Sequence, residues 1–194
     1  MSFPEFFTSY TNDLGACVAA ASVTDAGGAT IDRDQALQAV IGRFKEAHAA
    51  GGKIVFVGNG GSAAIASHQA FDYWKNGKMR ATCFNDAVLL TGSGNDYGYP
   101  GVFSNPISMF VAEKDVLVAI SSSGRSENIL NAAREGKRIG CFVFTLSAFA
   151  SDNPLRSLGD VNVYLNTMVY GHAEIGHETI LHTMLDYTIF GENA

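Results

Sequence analysis

The sequence predicts a three-layer α/β/α sandwich built on a five-stranded parallel sheet. Three observations lead to it. Five short apolar runs, at 53–58, 81–85, 115–121, 141–147 and 161–166, recur through the chain, and a helical pattern follows each. The runs are rich in Val, Ile and Phe and nearly continuous in apolar character, as strands covered on both faces must be. Two of them end in small-residue loops that open helices, Gly58-Asn59-Gly60-Gly61-Ser62 and Ser121-Ser122-Ser123-Gly124-Arg125-Ser126. Repeated β-then-α units imply parallel strands with helices packed on both faces.

Residues 3–22 read as a helix rich in Phe and Ala, ending before Ala26-Gly27-Gly28-Ala29. Asp32 with Gln35 fits a capping box, and Leu37, Val40, Ile41, Phe44 and Ala47 recur at helical spacing until Gly51-Gly52 ends the second helix. Strand 53–58 leads to helix 62–76, and strand 81–85 to a short helical stretch near 86–92. A loop carrying Gly94-Asn95-Asp96-Tyr97-Gly98-Tyr99-Pro100 precedes a helix near 101–112. Strand 115–121 leads to helix 126–137, strand 141–147 to a short helix near 154–158, and strand 161–166 to a C-terminal helix at 173–190. No linker, low-complexity segment or repeat divides the chain. Residues 1–194 are expected to form one domain, a helical segment at 1–50 ahead of an α/β core at 51–194.

Composition narrows the functional classes. The chain has 194 residues, 47% of them hydrophobic and 16% charged, enough to bury a full core and unlike a disordered segment. No apolar run reaches the roughly 18 residues of a membrane span, and Met1-Ser-Phe-Pro-Glu5 lacks the basic start of a secretory signal. Cys17, Cys83 and Cys141 lie far apart in apolar surroundings and read as reduced packing residues of a cytoplasmic protein. A formal net charge of −6 gives no support to nucleic-acid binding. Neither a membrane nor a nucleic acid is an expected partner.

The two loops carry the chemistry. A strand that ends in such a loop and feeds a helix presents free backbone N–H groups and a positive dipole end to an anion. Two of them point to a phosphorylated small molecule held between the carboxyl ends of parallel strands. Gly58-x-Gly60-x-x-Ala63 also matches the dinucleotide fingerprint, with Asp86 after the next strand, but that reading leaves the serines of the second loop unexplained. No nucleotide cofactor is expected. Ser126 suits a helix N-cap, a role that accounts for one serine and not for four. Arg125 can add a charged contact to phosphate or stay solvated.

A third feature is a set of acids and imidazoles on two helices. His68 and Asp72 are four apart and share a face. Glu174 and His182 are eight apart, about 80° around the axis, with Glu178 between them. His177-Glu178-x-x-x-His182 is not a zincin motif, because its histidines are five apart where the H-E-x-x-H spacing needs four. Two histidines and two carboxylates suit either a divalent metal such as Zn²⁺ or general base and acid work.

GNGGSA at 58–63 with His68 beyond it, NDYGY at 95–99, SSSGRS at 121–126 and a C-terminal helix carrying His182 together resemble the sugar isomerase (SIS) domain, and more narrowly the phosphoheptose isomerase group. That resemblance implies an aldose–ketose isomerase converting sedoheptulose 7-phosphate to glycero-manno-heptose 7-phosphate. It implies that Ser121, Ser122, Ser123 and Ser126 hold the phosphate, and that Asn59, Gly60, Ser62, Asn95 and Asp96 bind the rest of the substrate. Asp72, where the group usually has glutamate, matches the base, and His182 the acid. His68, Asp72, Glu174 and His182 match the zinc-ligand positions, Glu174 standing where glutamine is usual. A homotetramer is also implied. The alternative within the family is a non-catalytic phosphosugar-binding regulator or scaffold, of the kind that binds a replication initiator.

Overall fold

The computed structural model describes residues 1–191. Its elements are α1 (Phe3–Ala19), β1 (Ser22–Asp25), β2 (Thr30–Ile31), α2 (Arg33–Ala49), β3 (Ile54–Gly58), α3 (Gly61–Lys75), β4 (Ala81–Cys83) and α4 (Ala87–Tyr97). A 3₁₀ turn at Tyr99–Gly101 leads to α5 (Ser104–Phe110), β5 (Val116–Ser121), α6 (Glu127–Ile139) and β6 (Phe142–Ala148). A second 3₁₀ turn at Pro154–Ser157, β7 (Val161–Leu165) and α7 (Tyr170–Asp186), continued by a π turn at Tyr187–Gly191, complete it.

The sheet is mixed and seven-stranded, in the order β2-β1-β7-β6-β5-β3-β4. Its five strands from β4 to β7 are parallel, as expected. The expectation of five strands in all is corrected by β1 and β2, which add antiparallel to the free edge of β7. The first helix ends at Ala19, short of the expected 22, and the strand after it pairs Val23 with Val163, Val23 being buried. The Asp25 carboxylate accepts the Gly27 and Ala29 N–H groups, both at 2.9 Å, and closes the turn. A strand of four residues has too few alternations to announce itself locally, so pairing with β7 decides its conformation.

Each face of the sheet buries one core. Ile54, Phe56, Val116, Val118 and Ile120 point towards α2, α3 and α7, against Phe44, Ile65, Tyr73 and Leu181. Val55, Val57, Leu117 and Ala119 point towards α5 and α6, against Ile107, Ile129 and Ala132. Each large apolar side chain buried this way is worth about 1.5–3 kcal/mol. The Asp32 side chain caps α2 by accepting the Gln35 N–H at 2.9 Å. Among the described residues no helix is long and apolar enough to cross a membrane.

The stretch at 94–100 differs from expectation. Asp86 accepts N–H groups from Val88 and Leu89, and α4 then runs through Asn95 and Asp96 to Tyr97, ending where Gly98 takes a φ of 76°. An N-cap that satisfies two free donors carries the helix past Gly92 and Gly94.

Candidate functional site

From β3 the chain moves outward to the edge strand β4, then returns to β5 on the other side of β3. The helices that follow β3 and β5 leave on opposite faces of the sheet. This is a topological switch point, and the crevice beyond the strand ends there is where open α/β sheets take ligands. A cleft of about 240 Å³ occupies it, with Asn59, Gly60 and Ser62 from one loop facing Ser121, Ser122, Ser123 and Ser126 from the other. Ile120, Gly61, Tyr170 and Glu174 complete its walls.

The serine loop is held by bonds within itself and to its neighbours. The Ser121 hydroxyl donates to Ser126 Oγ at 3.3 Å, and Arg125 N–H donates to Ser123 Oγ at 3.2 Å. Ser126 holds the N-cap position of α6, yet its hydroxyl makes no bond to the helix backbone. That leaves the capping role unfilled and the hydroxyl turned to its neighbours in the loop. Gly124 adopts a φ of 60°, and the loop is tied down by Ala148 N–H to the Ser122 carbonyl at 3.0 Å and Leu155 N–H to the Gly124 carbonyl at 3.2 Å. The Arg125 guanidinium pairs with Asp152 at 3.0 Å on the surface rather than lining the cleft.

Glu174 and Gly61 set the floor. A β-carbon at Gly61 would run into the Glu174 carboxyl group, so the absence of a side chain is what lets that acid lie over the first turn of α3. Gly60, with a φ of 54°, forms the N-cap. The carboxylate therefore sits at the positive end of the helix dipole.

His68 and Asp72 lie two to three turns further along α3, and α7 runs beside it. His68 Nε2 is 3.5 Å from Asp72 Oδ2 and 3.7 Å from Glu178 Oε1. His182 Nε2 is 3.1 Å from Glu178 Oε1, and its Nδ1 is 4.0 Å from Asp72 Oδ2. The imidazole centroids are 5.2 Å apart. Among the described residues, His68, Asp72 and His182 form a group whose potential ligand atoms all lie within 4.8 Å of one another. Glu174 is outside it, at the level of Gly61, and seven residues of helix put His68 roughly 10 Å further on. A second depression of about 340 Å³ joins the two regions, lined by Gly61 and Glu174 at one end and by His68 and Glu178 at the other.

Other side chains fall differently. Asn95 and Asp96 are exposed on the last turn of α4, Asn95 donating to Asp96 Oδ1 at 2.9 Å, and neither lines the cleft. Tyr73 is a core residue that donates to the Leu181 carbonyl at 3.1 Å, while Trp74 and Tyr97 are exposed. Two residues not singled out from sequence take part. Buried Asn128, on α6, exchanges two hydrogen bonds of 2.8 Å with Asn59, and the Tyr99 hydroxyl donates to Asn59 Oδ1 at 2.9 Å. Glu178, which the sequence marks only by its spacing, touches both imidazoles. His177, its neighbour, faces away: Nε2 bonds the Ser147 carbonyl at 3.1 Å, and burial pushes the imidazole down to about 4. The cysteines are free, and burial pushes the Cys141 thiol up to about 11, so it is a packing residue and not a nucleophile.

The switch-point cleft, its serine loop and the helix that opens at Gly61 define an SIS domain. The family model described as SIS domain matches residues 23–148, and the chain belongs to that family. Within it, the chain is similar to the phosphoheptose isomerase of Burkholderia pseudomallei (strain K96243), 36% identical over 157 residues that cover 74% of this chain and 77% of that protein. It is 35% identical over 142 residues to the phosphoheptose isomerase of Helicobacter hepaticus, covering 70% and 72%. The solved phosphoheptose isomerase of Neisseria gonorrhoeae superposes with a TM-score of 0.81 at 25% identity, over 96% of this chain and 99% of that one.

Proposed function

We propose that the protein is a sugar-phosphate aldose–ketose isomerase that interconverts sedoheptulose 7-phosphate and glycero-manno-heptose 7-phosphate. The carrying observation is that the serine-loop cleft and the depression beside His68 share Gly61 and Glu174, so an anion site and an acid–imidazole cluster belong to one continuous groove. The similarity to phosphoheptose isomerases over two thirds or more of each chain supports the same substrate.

In this reading Ser121, Ser122, Ser123 and Ser126 hold the phosphate with their hydroxyls and the N–H groups at the start of α6. Asn59, fixed by Asn128 and Tyr99, and Ser62 orient the sugar hydroxyls. Asp72, mostly buried and aimed between two imidazoles, moves the proton between carbons 1 and 2 through an enediol. His182 serves the oxygen that gains and loses a proton. The donor set also fits a divalent cation: two imidazoles and carboxylates suit Zn²⁺, and Glu178 Oε2 is buried without a partner. Such an ion, when bound, polarises the carbonyl. The family-derived ligands are His68, Asp72, Glu174 and His182. Exposed Phe3, Phe6 and Phe7 along α1 support a homo-oligomer, which we take to be a homotetramer, of a cytoplasmic enzyme.

Purified protein given sedoheptulose 7-phosphate should yield the aldose. Asp72→Asn and His182→Ala should each lower kcat about 100-fold or more, the usual contribution of a positioned acid or base. No turnover, with or without added zinc, would remove the heptose assignment. Retained phosphosugar binding and cellular phenotype in both variants would favour the non-catalytic regulator instead.

A further inference from the structure

Tyr170, the first residue of α7, lines the serine cleft, yet among the described residues its hydroxyl bonds no protein group. It belongs to the anion end of the groove. Glu174 lies beside Gly61, Glu178 beside His68 and His182 beside Asp72, so α7 runs in the same direction as α3. Tyr170, one turn before Glu174, is therefore about 6 Å further along the axis from the acid–imidazole cluster. The depression that reaches His68 includes Glu174 but not Tyr170.

The ring is held in place by a strained neighbour. It meets Phe149 edge to face, with centroids 4.8 Å apart and planes at 88°. Phe149 has a φ of 61°, which an L-residue adopts only where its surroundings impose it. They act on both of its peptide groups: the N–H donates to the Thr167 carbonyl at 3.0 Å, and the carbonyl accepts the Tyr164 hydroxyl at 2.7 Å. The Thr167 hydroxyl in turn accepts the Val169 N–H at 3.1 Å, which fixes the residue before Tyr170. Ala148 donates its own N–H to the Ser122 carbonyl at 3.0 Å. The dipeptide Ala148-Phe149 thus ties the serine loop to the start of α7.

The chemistry of the cleft says what such a hydroxyl is for. Among the described residues that line it none is cationic, and Arg125 is paired with Asp152 on the surface. A phosphate there depends on O–H and N–H donors, and the phenol adds one on a rigid ring. We propose that Tyr170 is a substrate-binding residue whose hydroxyl donates to the phosphate held by the serine loop, with Phe149 as its positioning residue. The assignment rests on the phosphosugar reading of the cleft, not on the isomerisation.

Inorganic phosphate and sedoheptulose 7-phosphate serve as separate probes. Phosphate affinity by phosphorus NMR titration, and KM and kcat with the sugar phosphate, are measured for the parent, Tyr170→Phe, Phe149→Ala, Phe149→Gly and the double variant Phe149→Ala with Tyr170→Phe. Tyr170→Phe loses only the hydroxyl and should bind both probes about 10-fold more weakly. Its kcat should stay within about 2-fold, because a bond made equally in ground and transition states moves KM alone. Phe149→Ala should weaken both probes about 3-fold in the parent and add nothing in the Tyr170→Phe background. Phe149→Gly should behave as Phe149→Ala does, and it keeps the test open if alanine disturbs folding, since glycine takes a positive φ freely. Parent-like phosphate binding by Tyr170→Phe overturns the proposal, and so does a loss confined to the sugar phosphate. A Phe149→Ala effect undiminished in the double variant overturns the positioning role. A parent that binds phosphate without turnover removes the isomerase reading and leaves the titration to decide Tyr170, whereas one that binds neither probe overturns both.

Discussion

Replacing Gly124 with alanine tests whether the serine loop is held as rigidly as its contacts imply. At a φ of 60° the loop is in the left-handed region, which costs an L-residue about 1–2 kcal/mol. The added β-carbon would also collide with the carboxamide of Asn153 and lie 2.8 Å from its β-carbon. Asn153 cannot yield cheaply, because it is buried and its Nδ2 donates to Ser147 Oγ at 3.2 Å and to the carbonyls of Ala148 at 3.2 Å and Ala150 at 2.9 Å. The amide has two hydrogens to share among these three acceptors, at about 1 kcal/mol for each bond given up, so the substitution should destabilise by about 3–4 kcal/mol in all. That is a large share of ordinary domain stability, about 5–15 kcal/mol. Gly140→Ala is the control: it is left-handed, with φ 89° and ψ 9°, but the nearest atom, Glu113 Cγ, is 3.6 Å away, so only the backbone cost of about 1–2 kcal/mol applies. Urea unfolding measures both, and KM for the sugar phosphate reports the loop in whatever fraction folds. A Gly124→Ala protein within about 1 kcal/mol of the parent and with unchanged KM would refute the reasoning.

Asn128→Ala should remove both amide bonds to Asn59, lower stability by about 2 kcal/mol in denaturant unfolding, and raise KM more than it lowers kcat, since Asn59 orients substrate and does not transfer protons. The His177 imidazole is held down at about 4 against an ordinary value of 6.5. Below pH 6.5 the unfolded chain takes up a proton that the folded protein refuses, so this contribution is intact above pH 6.5 and is lost progressively towards pH 4. The total is on the order of 3 kcal/mol, and the pH dependence of unfolding should flatten in that window in His177→Gln.

Local signals carried the parallel core and failed at its edge, for a physical reason. Phe56, Val118 and Phe144 sit in strands buried on both faces, where continuous apolar character is required, and each such run is bounded by glycine or a helix cap. The β1–β2 hairpin has no comparable run. Its four- and two-residue strands exist because β7 offers an open edge at Val161 to Tyr164, a fact about tertiary position. The same holds for α4, whose extension through two glycines rests on its Asp86 cap and on the turn that Gly98 makes beyond it.

At the site, the serines were legible because four hydroxyls in six residues exceed what a turn and a cap require. Asn128 and Tyr99 were not, since their role exists only once β5 pairs with β3 and brings positions 69 and 40 residues distant onto Asn59. The division between Glu174 and Glu178 was equally hidden: spacing on a helix gives an angle but not the partner across from it. Packed against α3, the first acid meets Gly61 and the second meets the imidazoles. On the proposed reading that division also orients the substrate. With a carboxylate lying over the start of α3, a phosphate there would meet like charge. At the start of α6 the cleft wall is made of hydroxyls, and Glu127 turns away from it to pair with Arg134 at 3.1 Å. On the proposed reading the phosphate goes to the serine loop, and the reactive carbons lie down the groove towards Asp72.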